Sequence, residues 1–184
     1  MADNPDEIFD VVDRQDRVVG QARRADVHER GLLHRAVHIL IQGEDRAVFL
    51  QRRSLEKDAH PGKWDSSASG HLDTGEAYAS AAMRELREEL GCSADLLEIG
   101  RLPASEITGQ EFVRIYKAEH PGPFDLHPDE ILEGGWYAPQ QIDEWTARSP
   151  EEFAPSSVAV WHSVRDAFLD QSALGVLLIG LLLS

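Results

Sequence analysis

The sequence predicts a single α/β domain, and three observations support this. Several short runs rich in β-branched residues are bounded by polar turns, which is typical of strands. One longer segment, 74–91, carries apolar residues at helical spacing and ends at a glycine, which indicates an amphipathic helix. A chain of 184 residues is long enough to bury a substantial core without disulfides.

The predicted elements follow one another along the chain, with strands preceding the long helix. The predicted strands are residues 8–12, 17–22, 37–42, 47–52, 65–69, 95–102, 111–119 and 135–138. The predicted helical segments are residues 25–30, 74–91, 139–147 and 156–170. No internal repeat and no linker between domains is evident, so one domain is predicted over residues 8–172, after an acidic lead-in at 1–7.

Turn-forming residues justify the strand boundaries in the first half of the chain. The polar run 13–16 separates the first two strands and predicts a hairpin. The β-branched residues of 37–42 favour a buried strand, and the turn at 43–46 returns the chain as its neighbour. Pro61 and Gly62 interrupt the next segment, which is therefore predicted to be a loop.

The long helix is predicted to start near Thr74, a suitable N-cap with Glu76 in the first turn, and to stop at Gly91. Its apolar stripe predicts a face packed on the core, and comprises Ala79, Ala82, Met83, Leu86 and Leu90. Pro139 suits the first turn of the next helix, and the last helix carries an apolar side of its own.

The last stretch, 173–184, is apolar apart from its glycines and the final Ser184. It is shorter than the roughly 20 residues that a transmembrane helix needs. The simplest interpretation is a terminal helix or strand that covers the core. A homodimer contact, a tail that touches a membrane and an appended end are the alternatives.

Composition restricts the class of protein. A net charge of −15 argues against general nucleic-acid binding, because phosphate backbones are held by basic surfaces. It leaves room for a small phosphorylated ligand, whose charge a metal and a few cationic side chains can meet. The single cysteine, Cys92, and the absence of a secretory leader in the acidic N-terminus predict a cytoplasmic protein.

Three carboxylates lie on one face of the long predicted helix. Glu85, Glu88 and Glu89 are spaced i, i+3 and i+4, so they share one helical turn. Like charges this close repel one another unless a cation neutralises them. Mg²⁺ takes oxygen ligands and leaves positions for water and substrate phosphates, so a magnesium site is predicted here, with Mn²⁺ as a substitute.

The stretch GHLDTGEAYASAAMRELREELGC resembles the Nudix box, G-x5-E-x7-R-E-U-x-E-E-x-G-U, where U is aliphatic. The residues that fill the defined places are Gly70, Glu76, Arg84, Glu85, Leu86, Glu88, Glu89 and Gly91. Cys92 stands at the last place, where an aliphatic residue is usual, and a buried cysteine behaves as a small hydrophobe. The motif is long and strictly spaced, so a chance match is improbable.

The resemblance implies an α/β/α sandwich with a mixed β-sheet and hydrolysis of a nucleoside diphosphate linked to another group. It implies that Glu85, Glu88 and Glu89 bind the metal, and that one of them or a nearby residue accepts a proton from the attacking water. Glu76 and Arg84 then hold the loop and helix in register. The predicted catalytic set is Glu85, Glu88 and Arg84.

Further candidates lie outside the motif. Glu111, at the start of a strand, resembles the downstream glutamate that completes many Nudix metal sites, and Glu106 is its nearest competitor. Arg52, Arg53 and Lys63 are candidates for binding the diphosphate, because cationic side chains match phosphate oxygens. An exposed strand or loop position is the structural alternative for each. Trp64 is interpreted as a core or pocket-wall residue.

Segments around the motif resemble the Nudix branch that contains isopentenyl-diphosphate isomerase and its hydrolase-like relatives. His28, His34 and His71 stand near the places where the isomerases bind a metal, and could bind a second, softer ion or simply be polar residues. The catalytic cysteine of the isomerases is replaced by Ser69, a much poorer acid and nucleophile. Pyrophosphate hydrolysis is therefore favoured over isomerisation, and a non-catalytic binding domain is a third hypothesis.

Overall fold

A computed structural model describes residues 4–169, and a central β-sheet flanked by helices organises them. The strands are β1 (Ile8–Val12), β2 (Val18–Arg23), β3 (His34–Gln42), β4 (Val48–Arg53), β5 (Trp64–Asp65), β6 (Ala68–His71), β7 (Leu97–Leu102), β8 (Glu111–Glu119) and β9 (Ile131–Tyr137). The helices are α1 (Arg24–Arg30), α2 (Tyr78–Leu90), α3 (Pro139–Arg148) and α4 (Pro155–Val164). Strands β1 and β2 form a separate antiparallel hairpin, as predicted.

The large sheet is mixed, since β3 and β8 are parallel while the other pairs are antiparallel. Strands β3 and β4 pair only where Ile41 and Gln42 meet Phe49 and Val48. Beyond that point β3 pairs with β6 and β4 pairs with β5. The sheet therefore splits between β3 and β4, and this split positions the candidate site.

Two hydrophobic clusters lie on opposite faces of the sheet, because successive residues of β3 alternate between them. On one face Val37 and Ile39 pack with Leu86 and Leu90 of α2. On the other face Ala36 and Leu40 belong to the cluster that contains residues of α3 and α4, such as Ile142, Val160 and Trp161. The predicted α/β/α sandwich with a mixed β-sheet is confirmed.

The long helix begins later than predicted. Its N-cap is Ala77, and the Thr74 hydroxyl donates to the Ile8 carbonyl, 2.9 Å away, instead of capping the helix. This contact with the hairpin keeps residues 72–77 as a loop. The predicted stop is confirmed, since Gly91 has the left-handed φ of 63°. The Gly91 N–H donates to the Arg87 carbonyl at 3.2 Å, and the Cys92 N–H donates to the Leu86 carbonyl at 3.3 Å.

The predicted apolar stripe of α2 was partly wrong. Ala79 and Met83 are exposed, whereas Ala81 is buried beside Ala82, Leu86 and Leu90. Glu85 and Glu89 are buried too, so the carboxylates belong to the packed side of the helix rather than to its solvent face. The stripe prediction failed because a polar cavity, and not only the core, covers this helix.

Smaller differences concern the ends of elements. The strand predicted at 65–69 is two short strands, β5 and β6, that pair with different neighbours. Strand β9 starts at Ile131 rather than near Gly135, and α4 stops at Val164, where a 3₁₀ turn follows. Among residues 4–169, none of the helices has the length and apolar character to cross a membrane. The apolar stretch 173–184 lies outside the described residues.

Candidate active site

A cavity of about 870 Å³ opens at the split between β3 and β4. Its walls come from β3, β6 and α2, from loops around residues 57–60, 106–109 and 127–130, and from the start of α4. Acidic residues outnumber cationic ones in the walls. Such a cavity suits an anionic ligand only where cations or basic side chains offset the wall charge.

The Glu89 carboxylate is buried at the cavity wall, with 4% of the residue exposed. Its Oε2 accepts hydrogen bonds from Gln51 Nε2 at 2.9 Å and from the Ser69 backbone N–H at 3.1 Å. Burial raises the pKa of Glu89 well above its ordinary value, and the neighbouring Glu85 carboxyl raises this pKa further. Two carboxyl groups are therefore held close together in a desolvated place.

Glu85 is buried under Gly70, the first glycine of the motif. A Cβ at position 70 would lie 2.1 Å from Glu85 Oε1, so only glycine leaves room for the carboxylate. Burial raises the pKa of Glu85 to about 8, although Arg84 Nη1 donates to its Oε1 at 2.8 Å and opposes the shift. Glu88, by contrast, has a side chain that is 58% exposed.

Arg84 forms hydrogen bonds with several residues of the motif. Its Nη2 donates to Glu76 Oε2 at 3.0 Å and to the His71 carbonyl at 2.8 Å. Its Nη1 donates to both Glu85 and Glu88, at 2.8 and 3.0 Å. The guanidinium therefore fixes the loop before α2 and two of its three carboxylates in one arrangement.

His28, His34 and His71 form a second group, and two of them, His28 and His71, line the cavity. One ring nitrogen from each lies within 4.8 Å of the others. Glu111 joins them, since His71 Nε2 is 2.9 Å and His34 Nε2 is 3.6 Å from its Oε1. His34 Nε2 is buried and has no hydrogen-bond partner among the described residues. Three imidazoles, one of which has a nitrogen without a partner, and a carboxylate are a donor set that fits a transition-metal ion.

Two members of this group, His71 and Glu111, have shifted pKa values. Burial lowers the pKa of His71 to about 3, so this ring is neutral near pH 7. Burial raises the pKa of Glu111, but the imidazoles of His34 and His71 outweigh it and hold that pKa far below its usual range. A neutral imidazole beside an ionised carboxylate is the protonation state in which both groups bind a metal.

The predicted diphosphate-binding residues separate into two groups. Arg53 lines the cavity, where its Nη1 donates to Asp65 Oδ2 at 3.0 Å. Arg52 instead donates to Glu133 at 2.8 Å, and Lys63 donates to the Glu151 carbonyl, and neither residue is among those that line the cavity. Of the three candidates, only Arg53 is therefore placed where a substrate in the cavity would meet it.

Lys57 is a cavity residue that the sequence analysis missed. Its Nζ donates to Glu130 Oε2 at 2.6 Å, and both side chains line the cavity. Lysines and glutamates are common in surface loops, so neither residue carried a local signal. Their placement depends on the chain folding back from β4 to β9.

Glu106 also lines the cavity but is exposed, whereas Glu111 is nearly buried among the histidines. Trp64 does not line the cavity and packs edge-on against Tyr137 and Trp145, with ring centroids 5.4 and 5.3 Å away. The interpretation of Trp64 as a core residue is confirmed.

Comparison with known proteins identifies what this arrangement is similar to. The family model described as the NUDIX domain matches residues 32–170. An uncharacterised Nudix hydrolase of Yersinia pestis is 37% identical over 153 residues, which cover 83% of this chain and 82% of the relative. The isopentenyl-diphosphate Delta-isomerase of Serratia proteamaculans is 34% identical over 153 residues, covering 80% and 86%.

Among solved structures, a Deinococcus radiodurans protein superposes with a TM-score of 0.70 at 27% identity. The match covers 80% of this chain and 91% of that one. The relatives thus fall in the branch that the motifs predicted, with hydrolases and isomerases side by side.

Proposed function

This chain belongs to the Nudix family and is a hydrolase of pyrophosphate bonds, and from that premise we propose that it cleaves the diphosphate linkage of a small nucleoside-diphosphate-type compound in a reaction that depends on Mg²⁺. The observation that carries the proposal is the pair Glu85 and Glu89, buried together in the cavity wall with raised pKa values. Burying two carboxylates without a cation costs free energy, and an incoming divalent ion offsets that cost.

Glu85, Glu88 and Glu89 are the residues that would hold the magnesium ion, with Mn²⁺ as a substitute. We include Glu111 among the metal ligands, and its contacts associate it with the imidazoles rather than with α2. When bound, the cation polarises phosphoryl oxygens and lowers the pKa of a coordinated water. Oxygen donors on α2 and nitrogen donors around Glu111 suit ions of different hardness.

The chain's own residues do the remaining work. Arg53 and Lys57 bring cationic groups to the cavity wall and would meet the charge of the diphosphate. Gln51 and the Ser69 N–H orient the Glu89 carboxylate. Glu85 and Glu88 are the candidates for accepting the proton of the attacking water, and Arg84 orients both.

Ser69 favours hydrolysis over isomerisation. Its hydroxyl lies in the cavity and donates to Asp65 Oδ2 at 3.4 Å, a long hydrogen bond to an acceptor that Arg53 already neutralises. An alcohol has a pKa far above that of a thiol, so Ser69 cannot readily supply or accept the proton that an allylic rearrangement requires. We therefore carry over the scaffold, and not the isomerase reaction, from these relatives.

The test is a panel of diphosphate compounds incubated with Mg²⁺ or Mn²⁺. Phosphate release after phosphatase coupling should rise for at least one nucleoside diphosphate derivative and should stop when the cation is chelated. Isopentenyl diphosphate belongs in the panel, with its products separated by chromatography. Formation of the allylic isomer without phosphate release would support the isomerase, and tight binding with no product would support a binding domain.

A further inference from the structure

Arg24 is a buried cation that the proposed reaction does not use. It is the first residue of α1, lines the cavity and has only 6% of its surface exposed. Its Nε and Nη2 donate to the two carboxylate oxygens of Asp58, at 3.3 and 3.1 Å. Its Nη1 lies 3.8 Å from Glu7 Oε2, and its Cζ lies 5.8 Å from the centroid of the Phe9 ring. The guanidinium is therefore held in place from several sides.

The Nη1 of Arg24 also meets the ring of His71, at a distance of 3.1 Å from Nδ1. An arginine side chain has five N–H donors and no acceptor, and it stays protonated in proteins. The Nδ1 of His71 is therefore the acceptor of this hydrogen bond and carries a lone pair. The same contact excludes the imidazolium form of His71, because its Nδ1–H would face the N–H of Arg24.

The other ring nitrogen of His71 then has a single role. A neutral imidazole carries one proton, and since that proton is not on Nδ1 it is on Nε2. Nε2 lies 2.9 Å from Glu111 Oε1, so His71 donates and Glu111 accepts. The rings of Phe9 and His34 flank the His71 ring, with centroids 4.7 and 5.0 Å away, and hold it in this orientation. Two hydrogen bonds thus lead from Arg24 through His71 to Glu111.

His34 has the opposite arrangement of donor and acceptor. Its Nδ1 is 2.9 Å from the Leu32 carbonyl oxygen, which can only accept, so Nδ1 carries a proton. In the neutral ring Nε2 then has the lone pair, and this buried nitrogen has no hydrogen-bond partner among the described residues. It lies 3.6 Å from Glu111 Oε1. A metal binds the lone pair of a neutral imidazole, so the Nε2 of His34 is available to an ion beside Glu111 and the Nε2 of His71 is not.

We propose that Arg24 is a positioning residue that fixes the proton of His71 on Nε2. His71 then orients Glu111 by donating to its carboxylate, and it is not a metal ligand while Arg24 is in place. The imidazoles that remain for a transition-metal ion are those of His28 and His34. The closeness of the three rings alone would count His71 among the ligands, so the contact with Arg24 changes the composition of this site. The inference goes beyond the proposed function and does not depend on which reaction the cavity catalyses.

The proton on His71 can be located directly in the unchanged protein. Two-bond proton–nitrogen correlation spectra of the isotopically labelled, metal-free protein distinguish the two neutral tautomers of a histidine. The signals that disappear in His71→Gln assign the ring. His71 should carry its proton on Nε2, and its unprotonated Nδ1 should have the chemical shift of a hydrogen-bond acceptor. A proton on Nδ1, or an imidazolium at neutral pH, would overturn the inference.

Binding of Co²⁺ tests the consequence for the site, because the visible absorption of this ion changes with its nitrogen ligands. Saturating Mg²⁺ is present to occupy the α2 carboxylates. His34→Gln should weaken Co²⁺ binding by about tenfold or more, since even the partners of metal ligands contribute that much. His71→Gln should weaken it far less and leave the absorption unchanged, because the glutamine amide can donate to Glu111 in place of the ring.

Arg24→Met removes the donor and leaves His71 able to carry its proton on Nδ1. Nε2 can then bind the ion, so Co²⁺ affinity should rise and the absorption should change as a further nitrogen ligand is added. Removal of a nearby positive charge would also raise the affinity, so the double variant Arg24→Met/His71→Gln is the control. His71→Gln should cost about tenfold or more in the Arg24→Met background and little in the unchanged protein, a non-additivity that charge alone does not produce.

Two results with Co²⁺ would overturn the inference. One is an equal effect of His71→Gln in the two backgrounds, and the other is a loss in the unchanged protein as large as that of His34→Gln. Thermal unfolding shows which variants fold. If Arg24→Met does not fold, or if the unchanged protein binds no Co²⁺, the tautomer of His71 decides alone. Neither readout requires turnover, so failure of this inference and failure of the proposed hydrolysis are distinguished.

Discussion

Individual residues at the site are constrained by space as much as by charge. Gly70 is the clearest case, because the Glu85 carboxylate occupies the space that a side chain at position 70 would need. Gln51 is another, since a fully buried amide on β4 serves as donor to Glu89 on α2. Neither role can be inferred from local sequence, because each depends on a partner far along the chain.

Replacing Gly70 with alanine tests the spatial constraint. The new Cβ should displace the Glu85 carboxylate, lower the free energy of unfolding by about 1–3 kcal/mol as overpacking does, and lower the hydrolytic rate. Denaturant unfolding and turnover measure the two effects. Gly20→Ala is the matched control, because no atom lies within 4 Å of a Cβ there. Equal behaviour of the two variants would contradict the packing role of Gly70.

At the scale of elements, α2 combines packing and charge on one side. Its buried side holds Leu86 and Leu90 together with Glu85 and Glu89, and the loop before it is held by Arg84. The sequence correctly predicted the helix, its end at Gly91 and its cluster of carboxylates. It misplaced the start and the buried stripe, because the hairpin binds Thr74 and the cavity covers the acidic residues.

The raised pKa of Glu85 makes α2 sensitive to pH. The pKa is about 8 in the folded, metal-free protein against an ordinary value of 4.5, so the folded state holds the proton more tightly. The contribution of the Glu85 proton to the free energy of unfolding is therefore complete below about pH 4.5 and is lost as the pH rises through about 8. A divalent cation needs the deprotonated carboxylate, so its affinity should increase with pH until the pH exceeds about 8.

Unfolding of the metal-free protein between about pH 5 and pH 9, repeated with saturating Mg²⁺, measures this linkage. Stability should fall with pH without the cation, and the stabilisation conferred by the cation should increase over the same range. Isothermal titration calorimetry at each pH gives the cation affinity directly. A cation affinity that is independent of pH would show that Glu85 is not a ligand.

At the scale of the whole molecule, the site depends on the split between β3 and β4. This split brings β5 and β6 between the two strands and opens the cavity beside α2. The sequence predicted the fold class and the motif, since these follow from spacing and from a family resemblance. Of its cationic candidates, which were chosen for their charge, Arg53 lines the cavity. It missed Lys57, Gln51 and His38, because contacts between distant segments of the chain place these residues at the site. Arg52 and Lys63 form hydrogen bonds with Glu133 and with the Glu151 carbonyl instead.

The central claim is that the α2 carboxylates hold a cation that hydrolysis requires. The most direct measurement compares Glu89→Gln and Glu88→Gln with the unchanged protein on the best compound of the panel, with cation binding and thermal unfolding followed in parallel. Glu119→Gln, at the exposed end of β8, is the control. Loss of turnover by about a hundredfold or more and weakened cation binding in both site variants, with the fold retained, is the predicted result. Unchanged Mg²⁺-dependent turnover in either variant would contradict the account.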